Sequence, residues 1–296
     1  MSHPTIDLLG PTPRPVPLPV RCHLMFGGAN NQIAWGALAF AMIFFWAIVM
    51  NCEAVTWLTF PATPATTSGA VTNSYKTNVS EGGGKHTKGT PIYANDYQFT
   101  VNDKQYSGCS YALGRALASG QAVAIEYAPA DPSVSRIQGY RVRMFSAMAV
   151  LVLIFPTVML LMVLNGYLIG RKTRRLLECG QLAEGKLKSK EPKNTRINNK
   201  RVFKLTFEFT ANDGRTYQAK SRTHHPEKLE DEATEQIIYD PADPTKCLLV
   251  DAMPGYFRVD ETGNIQPESS RQALLVTMIP MLTICGNLAW AAMRDF

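Results

Sequence analysis

The side chains that could bind a metal ion or act as nucleophiles are poorly spaced for either role. His224 and His225 are adjacent, so on a β-strand they would point to opposite faces and could not chelate one ion together. Two cysteines, Cys52 and Cys109, could form a disulfide in an oxidising compartment, although isolated thiols are the interpretation we favour. The chain has no CxxC pair and no Cys–His spacing typical of zinc sites; its cysteines are Cys22, Cys52, Cys109, Cys179, Cys247 and Cys285.

Carboxylates occur in two settings that could carry acid–base chemistry. The sequence Tyr-x-Pro-Ala-Asp-Pro occurs at 127–132 and 239–244, where prolines and an aspartate after a strand are typical of a turn. We therefore predict structural roles for Asp131, Asp240 and Asp243, whose carboxylates would accept backbone N–H groups. The second setting is a charged run that is typical of a solvated loop or short helix, formed by Glu227, Glu230, Asp231, Glu232 and Glu235.

The sequence contains no recognisable catalytic motif. It has no GxSxG, HExxH or GxxxxGK[ST] pattern, which mark serine hydrolases, zinc proteases and nucleotide-binding loops. We therefore predict a protein that is not an enzyme, with no catalytic residues, no cofactor and no metal site.

Three long stretches without charge predict transmembrane helices. They are residues 33–50, 145–170 and 273–293, which contain 18 to 26 residues each. At a rise of about 1.5 Å per residue each would be about 27–39 Å long. The hydrocarbon core of a bilayer is about 30 Å thick, so each stretch can cross it. We place the spans at residues 32–51, 143–170 and 272–293.

Four residues interrupt the second and third spans. Pro156 and Pro280 fall mid-span, where each would leave a carbonyl without its helical donor and permit a kink. Asn165 and Asn287 would lie at different depths, because the two helices run in opposite directions. The uncharged stretches 33–50, 145–170 and 273–293 contain no Asp, Glu, Lys, Arg or His, which a proton or ion pathway normally needs.

The segments outside the spans are a tail, two loops and a short C-terminus at 294–296. Residues 1–31 contain Pro11, Pro13, Pro15, Pro17 and Pro19, a pattern that predicts an extended linker, or else a ligand for an aromatic groove. This tail is too long for the short n-region of a signal peptide, so the first span is predicted to be an uncleaved anchor.

The distribution of positive charge predicts the orientation in the membrane. Residues 171–204 carry twelve Lys and Arg against three acidic residues, whereas residues 52–142 carry seven against six. Because positive loops stay in the cytoplasm, we place the tail and residues 171–271 inside, and residues 52–142 and the C-terminus outside. Arg141 and Arg143 flank the second span on the outer side and oppose this assignment.

The basic segment has no aromatic residue between 185 and 200, so we predict contact with membrane lipid and no binding of nucleic acid.

The two loops repeat one pattern. Phe99-Thr-Val-Asn-Asp is followed by Tyr127, and Phe209-Thr-Ala-Asn-Asp-Gly by Tyr239, each of these tyrosines opening the proline-rich turn. Upstream, Gly69-Ala-Val and Gly185-Lys-Leu are candidates for equivalent first strands. We therefore predict two copies of one domain, at residues 52–142 and 171–271.

Each copy is predicted to be a small antiparallel β-domain. In the second copy an apolar set with a period of two alternates with polar residues, which puts it on one face of a strand: Phe203, Leu205, Phe207 and Phe209. Asn212-Asp213-Gly214 and, in the first copy, Asn102-Asp103 supply residues that tolerate positive φ in a hairpin. A sandwich or partly open barrel of four to six strands follows in each loop. The fold class is thus a membrane protein of α+β type, with three transmembrane helices and two β-domains on opposite sides of the membrane.

These residues resemble a family of bacterial membrane proteins, domain-of-unknown-function family 3592. The similarity is closest at residues 176–263, with the Phe-Thr-x-Asn-Asp-Gly hairpin and the Tyr-Asp-Pro-Ala-Asp-Pro turn. The first copy departs from the pattern, with Ala128 where the second copy has Asp240 and with no glycine in its hairpin. The resemblance implies a small β-domain at the bacterial inner membrane but no activity.

Three classes of function remain open. The first is a non-enzymatic module that presents β-domains to a protein partner or to a second copy of the chain, as an accessory or immunity-type subunit. The second is a component of a transport or channel assembly, and the third an enzyme with an unrecognised site. The sequence favours the first, because sheet edges and loops of such domains are common binding surfaces.

Overall fold

A computed structural model of the chain describes residues 9–84, 86–197, 200–226, 229, 233–253 and 257–294. The fold is α+β, with antiparallel sheets and five α-helices within these residues. The chain divides into two compact units, residues 40–157 and residues 1–39 with 158–296, and each is described by itself. The helices are α1 (Leu18–Phe26), α2 (Ala29–Ala47), α3 (Glu53–Thr59), α4 (Ile154–Cys179) and α5 (Ser270–Arg294).

The first unit contains a five-stranded antiparallel sheet in the order β3-β2-β1-β4-β5. The two edge strands meet, since the backbone N–H of Ile137 donates to the hydroxyl of Ser110 at 2.9 Å. This arrangement is a partly open five-stranded barrel. Its strands are β1 (Ala65–Glu81), β2 (Thr90–Val101), β3 (Lys104–Leu113), β4 (Ala122–Ala128) and β5 (Asp131–Ile137).

The long strand β1 serves both halves of this barrel. Gly69 pairs with Phe99 of β2 on one side and with Val123 of β4 on the other. A Cβ at Gly69 would lie 2.7 Å from the Gln98 carbonyl oxygen and 2.8 Å from Ile125, so only glycine fits between the two neighbours. The barrel core consists of the buried side chains of Val71, Tyr97, Phe99, Ile125 and Ile137.

The second unit repeats this strand order. Its sheet runs β8-β7-β6-β9-β10, and Gly185 of β6 lies opposite Phe209 of β7 and Glu235 of β9. Both long strands carry a bulge at the same place, after Val71 in β1 and after Leu187 in β6. The strands are β6 (Gln181–Ile197), β7 (Lys200–Thr210), β8 (Thr216–Thr223), β9 (Glu235–Asp240) and β10 (Asp243–Leu249).

The predicted apolar face of β7 forms the core of the second barrel. Leu205, Phe207 and Phe209 are at most 2% exposed, and Phe203 packs beside them. The predicted turns are also present, with Asn102 and Asp103 at φ of 49° and 58° and Gly214 at 75°. The alternation of residue types therefore predicted which face of the strand is buried.

A second hydrophobic cluster covers the other face of this sheet. Ile238 of β9 packs there against Leu176 and Leu177 at the end of α4 and against Val20 and Leu24 of α1. A hairpin of β11 (Phe257–Val259) and β12 (Ile265–Pro267) completes the cluster. The tail was predicted to be an extended linker, and the structure differs: its apolar residues form α1, which is held on the second barrel.

Arg14, within the proline run, fixes the tail to the end of α4. Its guanidinium donates to the carbonyls of Leu177 at 3.2 Å and Gly180 at 2.9 Å, and its backbone N–H donates to Glu178 at 2.8 Å. Arg14 is only 9% exposed, and this burial lowers the pKa of its guanidinium. A cation at the carboxyl end of a helix also complements the helix dipole.

Three helical segments are long and apolar enough to cross a membrane: Ala29–Asn51, Ala147–Cys179 and Arg271–Met293. Pro156 does not kink the second of them in mid-helix. The segment Ala147–Leu153 is a 3₁₀-helix, and the α-helix begins at Ile154, so Pro156 lies in the first α-helical turn, where its missing N–H is least disruptive.

Pro280 lies inside α5 and leaves the carbonyl of Val276 without its usual helical donor. The side-chain amide of Gln32, in the first turn of α2, fills this role by donating to the Val276 oxygen at 2.7 Å. The same nitrogen donates to the carbonyl of Phe26 at the end of α1, at 2.6 Å. One side chain thus joins three helices through carbonyls that the helices cannot satisfy themselves.

Replacing Arg14 by methionine should destabilise the second unit. The substitution leaves buried carbonyls at the end of α4 without donors, and hydrogen bonds to a charged group contribute about 1.5–3 kcal/mol each. We expect a lower unfolding temperature in detergent and faster proteolysis between residues 9 and 17. The exposed Arg258, changed to methionine, is the matched control; equal unfolding temperatures for the two variants would contradict the role of Arg14.

Candidate functional site

The residues singled out for metal or acid–base chemistry do not come together. β8 ends at Thr223, so His224 and His225 follow the strand, and the expectation of opposite faces was wrong: the ring centroids are 4.4 Å apart. Among the described residues no group of three or more His, Cys, Asp or Glu side chains could hold a metal ion. Of the acidic run, Glu235 is buried at the start of β9, and the other four members, at 227 and 230–232, lie outside the described residues.

The aspartates of the two proline-rich turns have the predicted structural role. Asp131 accepts the backbone N–H of Ser133 at 3.1 Å, and Asp243 accepts that of Thr245 at 3.3 Å. Hydrogen bonds from the Ser133 and Thr245 side chains hold the pKa of each carboxyl below its usual value. Carboxylates of this kind stay ionised at neutral pH and are poor proton donors.

Asp240 is the last residue of β9 and begins the turn that leads to β10 in the second barrel. It is 6% exposed, accepts the backbone N–H of Ala242 at 3.0 Å and lies 3.3 Å from the guanidinium of Arg175 in α4. The equivalent position in the first barrel is Ala128, which follows Tyr127 in the sequence. The Asp240 carboxylate therefore links α4 to the second barrel.

A cluster of titratable side chains on the first barrel is the nearest approach to a reactive site. Cys109 of β3 lies directly opposite Asp96 of β2 and beside Tyr111. Burial and a hydrogen bond to the Asp96 carboxylate raise the pKa of the Cys109 thiol to about 11. Burial together with Cys109 raises the pKa of Tyr111 to about 12. Since the thiolate is the nucleophile, this cluster suppresses the reactivity of Cys109.

All six cysteines are free thiols, so Cys52 and Cys109 do not form a disulfide in this structure. Cys52 is buried and Cys109 half-buried. The isolated thiols that we favoured from the sequence are what the structure contains.

The outer surface of the second barrel carries a different kind of candidate site, which we call the basic face. On β7, Lys204, Thr206 and Glu208 alternate with the core residues, although Thr206 is itself buried, and their neighbours on β8 are Arg222, Lys220 and Gln218. Lys186 and Lys188 of β6 lie on the other side of Glu208, to which Lys188 is paired. The basic face therefore consists of Lys186, Lys188, Lys204, Lys220 and Arg222, with Glu191 and Glu208 between them.

Two cations of the basic face lie directly opposite each other, which strands usually avoid. Lys204 pairs with Arg222 in register, and like charges at such positions destabilise a sheet by about 0.2–1 kcal/mol. Glu191 relieves part of this repulsion, at 3.8 Å from the Lys204 amine. Lys220 and Arg222 remain exposed to solvent at the outer end of these rows. The face can attract an acidic surface through them.

Two glycines of α4 were missed in the sequence, although Gly166-x-x-x-Gly170 is a known helix-packing signal. A Cβ at Gly166 would lie 2.6 Å from the side-chain oxygen of Asn31, and one at Gly170 would collide with the carbonyl of Leu24. The pair therefore lets α4 approach the end of α1 and the start of α2 closely.

Comparison with known proteins supports one domain. Residues 67–141, which span most of the first barrel, match the family described as domain of unknown function DUF3592. The match lies in the first domain, whereas we expected the closer resemblance in the second. No curated protein matches the chain.

One similar solved structure is a chain from "Structure and Conformational Change of a Replication Protein A Heterotrimer Bound to ssDNA", at 7% sequence identity and a TM-score of 0.16. The alignment covers 60% of this chain and 43% of that chain, so it spans under half of the relative's length. A likeness of this size carries no argument about function.

Cys109 should react slowly with iodoacetamide in a variant whose other five cysteines are replaced by alanine. With a pKa of about 11 its thiolate fraction at neutral pH is far below that of an ordinary exposed thiol, and the rate should keep rising with pH up to that value. Asp96→Asn removes the neighbouring charge, lowers the pKa and should speed alkylation about tenfold for each unit of pKa.

Asp103→Asn is the matched control for this measurement. Asp103 lies in the β2–β3 turn and also loses a negative charge on substitution, but it is not among the groups that shift Cys109. Equal acceleration by both substitutions would show that net charge, and not the contact with Asp96, controls the thiol.

Proposed function

We propose that this chain is a non-enzymatic, multi-pass protein of the bacterial inner membrane that presents two β-barrel domains for protein–protein interaction, as an accessory or immunity-type subunit. The observation that carries the interaction role is the basic face, where half-buried Lys204 lies opposite the exposed Arg222. Such an arrangement costs stability in the free protein and is relieved when an acidic partner binds.

Membrane insertion accounts for the large apolar surface of the three long helices. Side chains such as Phe155, Leu282 and Leu288 are at least 65% exposed, and no water-soluble fold keeps so many in contact with water. Backbone hydrogen bonds within a helix satisfy its polar groups in lipid, so these segments are suited to the hydrocarbon core.

The proposed orientation places residues 1–31 and the second barrel in the cytoplasm and the first barrel outside. The charge asymmetry of the two loops supports it, as does the packing of the tail on the second barrel, which requires both to be on one side.

We further propose that the two barrels arose from one duplicated domain. Their common strand order, the glycines at 69 and 185 and the shared bulges support this proposal.

Cysteine labelling in intact cells tests the orientation. In a cysteine-free background, Thr87→Cys on the first barrel should react with a membrane-impermeant maleimide, and Thr210→Cys on the second should react only after permeabilisation. Both positions are exposed, so accessibility of the folded domain does not limit either reaction. The reverse pattern would invert the topology, and labelling of both sites in intact cells would overturn the two-sided arrangement.

Charge reversal tests the basic face. The full-length protein, purified from its native membrane in mild detergent, should carry along a partner with an acidic surface. Lys220→Glu with Arg222→Glu should reduce recovery of this partner tenfold or more, and moderate salt should weaken binding to the unmodified protein, because exposed charges are screened over about 10 Å.

Lys76→Glu with Lys88→Glu is the matched control, with the same change of charge at exposed positions of the first barrel. Equal recovery of the partner by both double variants would exclude the basic face as the docking surface. Recovery of no partner with the unmodified protein would count against the interaction role and favour a self-assembled transport component.

A further inference from the structure

The short helix α3 follows the first apolar helical segment directly and has an apolar side that the protein leaves uncovered. Only Cys52 separates the end of the segment Ala29–Asn51 from the start of α3 at Glu53. Trp57 and Leu58 of α3 are 74% and 86% exposed, which makes them the two most exposed large apolar side chains of the described residues. These two side chains form the apolar side of α3.

Arg136 of β5 holds the other side of α3 against the first barrel. Its guanidinium lies 4.0 Å from the Glu53 carboxylate, and its guanidinium carbon lies 4.4 Å from the centroid of the Phe60 ring, directly after the helix. Arg136 is itself fixed by the carboxylate of Glu126 on the neighbouring strand β4, at 2.7 Å. These contacts at both ends of α3 determine which side of the helix faces the barrel, and they leave its apolar side free.

Backbone hydrogen bonds fix α3 at the level where two apolar stretches end. The N–H of Glu53 donates to the carbonyl of Phe145 at 2.9 Å, and the N–H of Phe145 donates to the carbonyl of Asn51 at 3.0 Å. Phe145 is the first residue of the uncharged stretch 145–170. Trp57 follows Glu53 by four residues, a helical rise of about 6 Å. The headgroup layer on each side of the hydrocarbon core is about 5–8 Å thick, so Trp57 lies within its reach.

The start of the second apolar segment continues the uncovered surface. The 3₁₀-helix Ala147–Leu153 lies next to α3, and its side chains Met148 and Leu151 are exposed. A protein partner that covered α3 would therefore also have to displace lipid from the helical segments beside it. Lipid completes the whole surface at once, which favours lipid as the occupant.

We infer that α3 lies on the outer surface of the bilayer, with Trp57 and Leu58 inserted between lipid headgroups. Tryptophan is suited to this depth, because its ring is apolar and its indole N–H can donate to a headgroup or to water. The inference rests on the membrane placement proposed above, which puts residues 52–142 outside. The contacts of Arg136 then join this lipid anchor to β4 and β5 of the first barrel.

Fluorescence quenching of Trp57 in lipid nanodiscs tests the inference. The chain has four tryptophans, and replacing Trp35, Trp46 and Trp290 by phenylalanine leaves Trp57 alone. Its emission should be quenched by phosphatidylcholine brominated near the headgroup, less by the same lipid brominated near the chain end, and only weakly by aqueous iodide. The reason is that the apolar face of an interfacial helix lies about 5–10 Å into the boundary between headgroups and acyl chains.

Two further single-tryptophan variants are the references. Thr216→Trp, at an exposed position of the second barrel, should be quenched by iodide and not by brominated lipid. Trp290, exposed on α5 within the segment Arg271–Met293, should be quenched by brominated lipid. If the variant that keeps only Trp57 fails to fold, the difference in quenching between the unmodified chain and Trp57→Phe decides.

Three results would overturn the inference. Iodide quenching of Trp57 as strong as that of Thr216→Trp would place the residue in water. Shielding from both iodide and brominated lipid would show that protein, either a partner or a second copy of the chain, covers α3. Strongest quenching by bromine near the chain end would place Trp57 in the hydrocarbon core, as part of the span.

The labelling of Thr87→Cys and Thr210→Cys reports the topology independently of this measurement. A reversed labelling pattern would move α3 to the inner surface and leave the lipid quenching of Trp57 unchanged. Loss of the lipid contact of α3 would leave the labelling pattern unchanged, so the two failures can be told apart.

Discussion

The helical part of this protein depends on donors for carbonyls that helices leave unsatisfied. Where water is scarce, each such group must find a partner or cost free energy. Gln32 supplies one donor to the carbonyl freed by Pro280 and to the end of α1, and Arg14 supplies another to the end of α4. Both residues lie within the first 32 positions, so the amino-terminal segment, which has no long apolar stretch before position 33, holds the other elements in place.

In the two barrels, backbone groups are paired within the sheet itself. Each sheet closes on itself far enough that its edge strands meet, through Ser110 in the first barrel and through the Cys247 thiol and the Gln218 carbonyl in the second. A glycine in the long strand, Gly69 or Gly185, lets a side chain of the neighbouring strand, Ile125 or Ile237, pack directly against the long strand. The short sequence pattern of strands and turns therefore contains most of what a barrel requires. This explains why the same pattern could be recognised in both loops.

Sequence patterns predicted the features that depend on residues close together in the chain. The alternation from Phe203 to Phe209 identified the buried face, and Asn102-Asp103 identified a turn, because both depend on residues within one hairpin. The contact between Gln32 and Val276 joins positions 244 residues apart, and no periodicity reports it. The role of Arg14 could not be predicted from the sequence. Arg14 stands in a run of prolines that is typical of a linker, and its carbonyl partners lie at the end of a helix distant in the chain. Gly166 and Gly170 did carry a readable signal, a small-residue pair in an apolar helix.

The proposed function rests on a place where like charges are kept together. Other demanding groups are bonded: Asp131 and Asp243 accept hydrogen bonds within their turns, and Cys109 is kept neutral by Asp96. The basic face keeps Lys204 opposite Arg222, with Glu191 at 3.8 Å from the Lys204 amine as a partial counter-charge. Under the interaction role proposed above, an acidic surface that docks on this face supplies the remaining counter-charge and relieves the repulsion.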